Sequence, residues 1–238
     1  MTLRAADFDS AKAVSVSKIY GRHRALANVD LTLSAGKTVV LLGPNGSGKT
    51  TLLMLFSTLS RPTSGQIAFG DSANEEASKY RGAIGLLSHS SMTYTELTAL
   101  ENLSFFGKMY GVPKPQTRAK ELLERFDLTQ SMSRPVATFS RGMLQRLGLA
   151  RALIGSPRLL LLDEPFTGLD RSSTQVVIDV VNEHKANNGL ALVISHDLNV
   201  AAELGDEFLI LKRGKTVGTI QESVPADKLR DTYAEVTA

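Results

Sequence analysis

The sequence predicts an α/β fold: a core of parallel strands carrying a phosphate loop, preceded by an antiparallel β ribbon and interrupted by a helical subdomain. Three observations predict it. A Gly-rich loop, Gly43-Pro44-Asn45-Gly46-Ser47-Gly48-Lys49-Thr50, stands between a short apolar run and the apolar start of a helix. Two later apolar runs, 159–162 and 190–194, each end in polar side chains, as strands buried on both faces do. The stretch between the first strands and these two shows helical spacing instead.

Taken in order, Val14 to Lys18 alternates like a half-buried strand and leads to Tyr20-Gly21. Val29 to Leu33 alternates again, and Ser34 to Lys37 turns back, so an antiparallel ribbon precedes the loop. Val39 to Leu42 reads as a buried strand and Thr50 to Phe56 as a helix. Arg61 to Gly65 closes that helix, Gln66 to Gly70 is a short strand, and Asp71 to Lys79 is a polar loop or frayed helix. Ala83 to Leu87 is a strand broken at Ser88-His89-Ser90-Ser91. Leu97, Leu100, Leu103, Phe106 and Met109 form a helical stripe over Thr95 to Tyr110. Gly111-Val112-Pro113 stops it, and Thr117 to Phe126 is a second amphipathic helix. Ser140 is a candidate N-cap for a third, striped by Leu144, Leu147, Ala150, Leu153 and Ile154.

Leu159 to Leu162 then leads to Asp163-Glu164-Pro165; Ser172 to Asn187 is helical; Leu190 to Ile194 leads to Ser195-His196-Asp197. Leu198 to Leu204 is a short helix, and 207–220 is a hairpin. The tail after Gln221 carries little signal. One domain over 1–238 is expected, with the core at about 12–86 and 156–222 and the helical subdomain at about 87–155.

Composition narrows the class. The 238 residues are 42% hydrophobic and 21% charged with a formal net charge of +3, ordinary globular values without a dense basic tract for nucleic acid. With no cysteine there are no disulfides and no thiolate metal sites. The N-terminus lacks an apolar secretory core, and the longest apolar runs fall far short of the ~20 residues of a spanning helix.

The chemistry begins at the phosphate loop. Glycines let backbone N–H groups turn toward an anion at a helix N-terminus whose dipole also favours negative charge. Lys49 is placed to reach the β- and γ-phosphates, and the Thr50 hydroxyl to bind Mg²⁺. Ligands of open α/β sheets sit at the carboxyl ends of strands, where Asp163 is a candidate Mg²⁺ ligand and Glu164 can orient or deprotonate an attacking water. Nucleoside-triphosphate binding follows.

With these residues in place, the chain resembles the ATP-binding subunit of ATP-binding cassette (ABC) transporters from Tyr20 to the terminal hairpin. The resemblance implies a P-loop NTPase core of RecA-like type. Tyr20 matches the A-loop aromatic that stacks on adenine. Gly43, Pro44, Asn45, Gly46, Ser47, Gly48, Lys49, Thr50 and Thr51 match Walker A, and Leu159 to Asp163 with Glu164 match Walker B and the catalytic carboxylate. Asp170 matches the D-loop and His196 the switch histidine. Phe139-Ser140-Arg141-Gly142-Met143 matches the signature motif, which in the family covers the ATP of a partner subunit in a head-to-tail dimer. Arg141 and Met143 depart from the usual signature, and His89 stands where the Q-loop glutamine is expected.

The resemblance implies ATP and Mg²⁺ as cofactors, a homodimer or pseudo-dimer of ATPase subunits, an integral-membrane permease as partner, and a peripheral place on the cytoplasmic face of the membrane. Glu101 to Tyr110 is the expected docking surface. His89 together with the Thr95–Leu103 run is similar to ATP-binding subunits of haem exporters used in cytochrome c maturation, and the same run also occurs in ABC exporters of other small hydrophobic cargo. A soluble ABC protein acting on ribosomes or DNA is the competing class; the single cassette, the absence of cysteine and the absence of long heptads weigh against it.

Overall fold

A computed structural model describes residues 7–70, 74–88 and 92–238. Asp71, Ser72, Ala73, and the Q-loop position His89 with Ser90 and Ser91, lie outside the described residues. The ribbon is made by β1 (Ser10–Tyr20) and β2 (His23–Ser34), and β3 (Lys37–Leu42) runs into the phosphate loop and α1 (Lys49–Phe56). β4 (Ser64–Phe69) returns to the ribbon, and after a 3₁₀ stretch at Asn74–Ala83 comes β5 (Ile84–Leu87). Three helices follow: α2 (Ala99–Met109), α3 (Pro115–Arg125) and α4 (Arg141–Leu153). The chain then alternates β6 (Leu159–Asp163), α5 (Arg171–Ala186), β7 (Leu190–Ile194) and α6 (Leu198–Leu204), and ends in β8 (Glu207–Lys212), β9 (Lys215–Ile220) and α7 (Ala226–Thr237).

The strands form two sheets, one of three ordered β2-β1-β4 and one of six ordered β5-β6-β7-β3-β8-β9. In the larger sheet every pairing from β5 to β8 is parallel and only β9 runs antiparallel. Its central strands are buried throughout, Leu159 to Asp163 and Leu190 to Ile194 without exception, so their unbroken apolar runs are those of strands covered on both faces. On one face Leu41, Leu161, Leu192 and Leu209 join α1 and the ribbon; on the other Leu160, Leu162, Ala191 and Val193 meet α4 and α5.

Two expectations differ from the structure. α2 begins at Ala99 rather than Thr95 because Thr98 caps it in a capping box with Glu101. The backbone just before the cap is engaged elsewhere, with Thr95 O and Leu97 O accepting from Ala137 and Val136. The quiet tail contains α7, whose Leu229, Tyr233 and Val236 pack on Val40, Leu42, Phe208 and Ile210. Three apolar residues at i, i+4 and i+7 are a thin stripe, and the exposed face around them mutes it.

Candidate functional site

The phosphate loop folds as its glycines allow. Gly48, the residue before α1, has φ +104°, and a Cβ there would lie 2.5 Å from Ala25 O and 2.7 Å from Leu26 Cδ2. Only glycine lets the loop press this closely on β2. Lys49 is buried, and its Nζ donates to Gly43 O at 2.7 Å and Pro44 O at 3.0 Å. Burial pulls its ammonium below the ordinary lysine value, and the charges of Glu164 and Asp163 oppose that shift.

β6 and β7 deliver the other groups. Thr50 Oγ1 donates to Asp163 Oδ2 at 3.0 Å, and Asp163 is 3% exposed. His196 Nε2 lies 3.0 Å from Glu164 Oε1. Burial and then the Lys49 charge hold the imidazole below its ordinary value, with Asp163 opposing. The neutral ring therefore lies beside the carboxylate at contact distance, without the alignment of a hydrogen bond. Glu164 itself sits at φ +52°, an uncommon backbone for a non-glycine residue. All of these groups line one cavity of about 370 Å³.

Tyr20, Asn45, Gly46, Ser47, Gly48, Lys49, Thr50, Thr51, Asp163, Glu164 and His196 all border that cavity. Tyr20 is 50% exposed, an aromatic rim rather than a core residue, with Lys18 Nζ 5.0 Å from its ring centroid. Three lining residues were not among the expected site residues: His23, Ala25, and Ile194, which was read only as the end of a strand. His23 pairs with Tyr20 across the β1–β2 turn, so the Gly21-Arg22 turn was the signal that could have found it. Ser140, Arg141, Gly142 and Met143 are absent from this lining. They form the N-terminus of α4, where Ser140 Oγ accepts from Met143 N at 3.3 Å. Arg141 packs on Gly168, whose Cβ, if present, would lie 3.6 Å from Arg141 Cδ. Asp170 caps α5 by accepting from Ser173 N and Ser172 Oγ, and these bonds lower its carboxyl pKa.

A triphosphate and a hard cation suit this chemistry. A buried ammonium, a hydroxyl and a carboxylate converge at a helix N-terminus. Among the described residues no group of three or more His, Cys, Asp or Glu is arranged to hold a metal. A cation here would take the rest of its shell from phosphate and water, as Mg²⁺ does.

Comparison with known proteins agrees. A family model described as ABC transporter matches residues 26–167. The daunorubicin resistance ATP-binding protein DrrA3 of Streptomyces coeruleorubidus is 39% identical over 86% of this chain and 66% of its own length. The sulfate/thiosulfate import ATP-binding protein CysA of Brucella melitensis is 36% identical over 89% of this chain and 61% of its own. The chain thus spans just under two thirds of each relative. A dimeric structure of the ATP-binding cassette MJ0796 in a post-hydrolysis state, bound to ADP and Pi, superposes with a TM-score of 0.83 at 28% identity, over 88% of this chain and 97% of that one. Since the family model spans more than half of the residues and the fold agrees across the core, the chain belongs to the ABC transporter family, as its ATP-binding cassette, an ATPase domain.

Proposed function

We propose that this cassette hydrolyses ATP as half of a head-to-tail dimer and passes the motion to a separate membrane permease that exports a small hydrophobic compound. The observation that carries the hydrolytic part is the convergence of Lys49, Thr50, Asp163, Glu164 and His196 on one cavity. Tyr20 at the rim offers a face for adenine stacking. The α1 N-terminus and Lys49 bind the phosphates. Glu164 takes the proton of the attacking water, His196 steadies that carboxylate and meets the γ-phosphate, and the products are ADP and inorganic phosphate. A Mg²⁺ held by Thr50 Oγ1 and Asp163 would neutralise phosphate charge.

The dimer rests on the signature. Ser140 to Met143 form a phosphate-ready helix end that lies outside its own chain's cavity, which suits a role toward a partner's nucleotide. The MJ0796 cassette is likewise dimeric. Coupling to a permease rests on an aromatic patch. Tyr94, Phe105 and Met109 are 49%, 39% and 56% exposed, and the rings of Tyr94 and Phe105 meet edge to face at 5.3 Å. Buried Asn102 holds this patch in place, exchanging hydrogen bonds with Tyr94 N and O. Among the described residues no helix is long and apolar enough to cross a membrane; the place proposed for the cassette, beside its permease, is peripheral on the cytoplasmic face.

The broader exporter reading is preferred to haem export. Within the Thr95–Leu103 run, Glu101 completes the α2 capping box and Asn102 anchors Tyr94, so local structure accounts for its most distinctive residues. His89 lies outside the described residues, and the two named relatives are described by daunorubicin resistance and by sulfate/thiosulfate import. The resistance relative favours export, whereas the sulfate importer, at similar identity, leaves direction to the permease.

The test is Glu164→Gln purified with ATP from detergent-solubilised membranes. It should bind ATP, fail to turn it over, dimerise, and bring a polytopic membrane protein with it. Turnover at the wild-type rate would remove Glu164 from its role. Ribosomal or DNA-bound proteins without a membrane partner would overturn the transport reading.

A further inference from the structure

The geometry points to Gln145 as a positioning residue for Glu164, which makes the helix that opens with the signature also hold the carboxylate of its own chain's ATP site. This rests on the reading of Glu164 as the water-activating group.

Glu164 stands at φ +52°, a conformation that a non-glycine residue keeps only where its surroundings hold it. Three bonds do so. Its N–H donates to Ile194 O on β7 at 3.1 Å, and its carbonyl accepts from Thr167 N at 3.2 Å. The same carbonyl accepts from Gln145 Nε2 on α4 at 3.1 Å. The first two belong to the sheet and to the loop itself. Only the third reaches the helical segment.

Gln145 is four residues beyond Arg141, so the two share a face of α4. That face meets the 164–170 loop at two points, Gln145 at Glu164 and Arg141 at Gly168. Gly142 closes the gap between them, since a Cβ there would lie 3.1 Å from Gly168 O. In a head-to-tail dimer, the signature at the start of α4 touches one nucleotide while Glu164 faces the other. A shift of α4 on engaging the partner's nucleotide would therefore be felt at the Glu164 backbone, and the carboxylate would settle against His196 when α4 is seated.

Two variants with ATPase kinetics test this, alongside Glu164→Gln. Gln145→Met keeps the side-chain length and loses the donor. Its kcat should fall about tenfold, equivalent to ~1.4 kcal/mol of barrier, with KM for ATP, nucleotide affinity and melting temperature unchanged. Gln145→Glu is the second variant: ionised it cannot donate, protonated it can. A glutamate is ionised at neutral pH, so its kcat should fall at least as far as that of Gln145→Met, again with KM for ATP unchanged. A Gln145→Met kcat within twofold of wild type, or a Gln145→Glu kcat clearly above that of Gln145→Met, overturns the positioning role while an inactive Glu164→Gln leaves the Glu164 reading standing. Full turnover in Glu164→Gln instead overturns that underlying reading, and the positioning role with it.

Discussion

Replacing Gly48 by alanine should damage the protein far more than replacing Gly46, although both are glycines of one loop with positive φ. At Gly48 φ is +104°, and the new methyl would meet Ala25 O at 2.5 Å and Leu26 Cδ2 at 2.7 Å. The first neighbour is backbone of β2, in the ribbon paired to β1, so it cannot swing aside. Backbone strain of about 1–3 kcal/mol and overpacking of about 1–3 kcal/mol together predict a loss of roughly 2–6 kcal/mol. At Gly46 φ is +75° and no atom lies within 4 Å of the added Cβ, leaving only the left-handed penalty of about 1–2 kcal/mol. The assay is urea unfolding of each variant without nucleotide, with ATP affinity measured in parallel. Because the left-handed strain is common to both, Gly48→Ala should be the less stable of the two by the overpacking, about 1–3 kcal/mol. Equal stabilities within about 0.5 kcal/mol would refute the close approach of the loop to β2.

Lys49→Ala removes a buried ammonium that donates to Gly43 O and Pro44 O. ATP affinity should fall at least thirtyfold, about 2 kcal/mol for one charge-assisted contact; isothermal titration giving unchanged affinity would contradict the phosphate-loop role. The pH dependence of stability carries a definite sign. Burial holds the His184 imidazole below its ordinary value of 6.5, with a hydrogen bond to Leu190 O opposing, and His196 is lowered as well. The unfolded chain takes up these protons first, so the stabilisation is fully present above pH 6.5 and is lost as pH falls through the folded-state values. Urea midpoints should drop between pH 6.5 and 5, and His184→Gln should flatten the slope; an unaltered slope would remove His184 from the effect.

Much of the site was legible because its signals are local. The loop from Gly43 to Thr50, the cap at Ser140, and the apolar runs ending at Asp163 and Ile194 all depend on residues a few positions apart, whose φ/ψ limits and hydrogen bonds act within one turn or strand. The helix Leu198–Leu204 has the same ends in sequence and structure for that reason: Asp197 accepts from Asn199 N and Val200 N. Where a distant partner competed, local reading overshot, as at Thr95 to Leu97, whose carbonyls serve the 136–137 segment instead of a helix.

What the amino-acid order determined by itself was the set of elements and the chemistry at their ends: a triphosphate loop, two acids after an apolar strand, and a histidine after another. What only the tertiary structure decided was which of these ends meet. Thr50 and Asp163 are 113 residues apart and hydrogen-bonded only because β7 sets the spacing between β3 and β6. Tyr20 became a cavity rim through the pairing of β1 with β2, Gln145 reached the Glu164 carbonyl through the seating of α4, and α7 emerged because Leu229 found the apolar face of Val40 and Phe208. Strand order and helix seating are settled by burying complementary surfaces from remote parts of the chain, and that information is spread over the whole sequence rather than written in any one stretch of it.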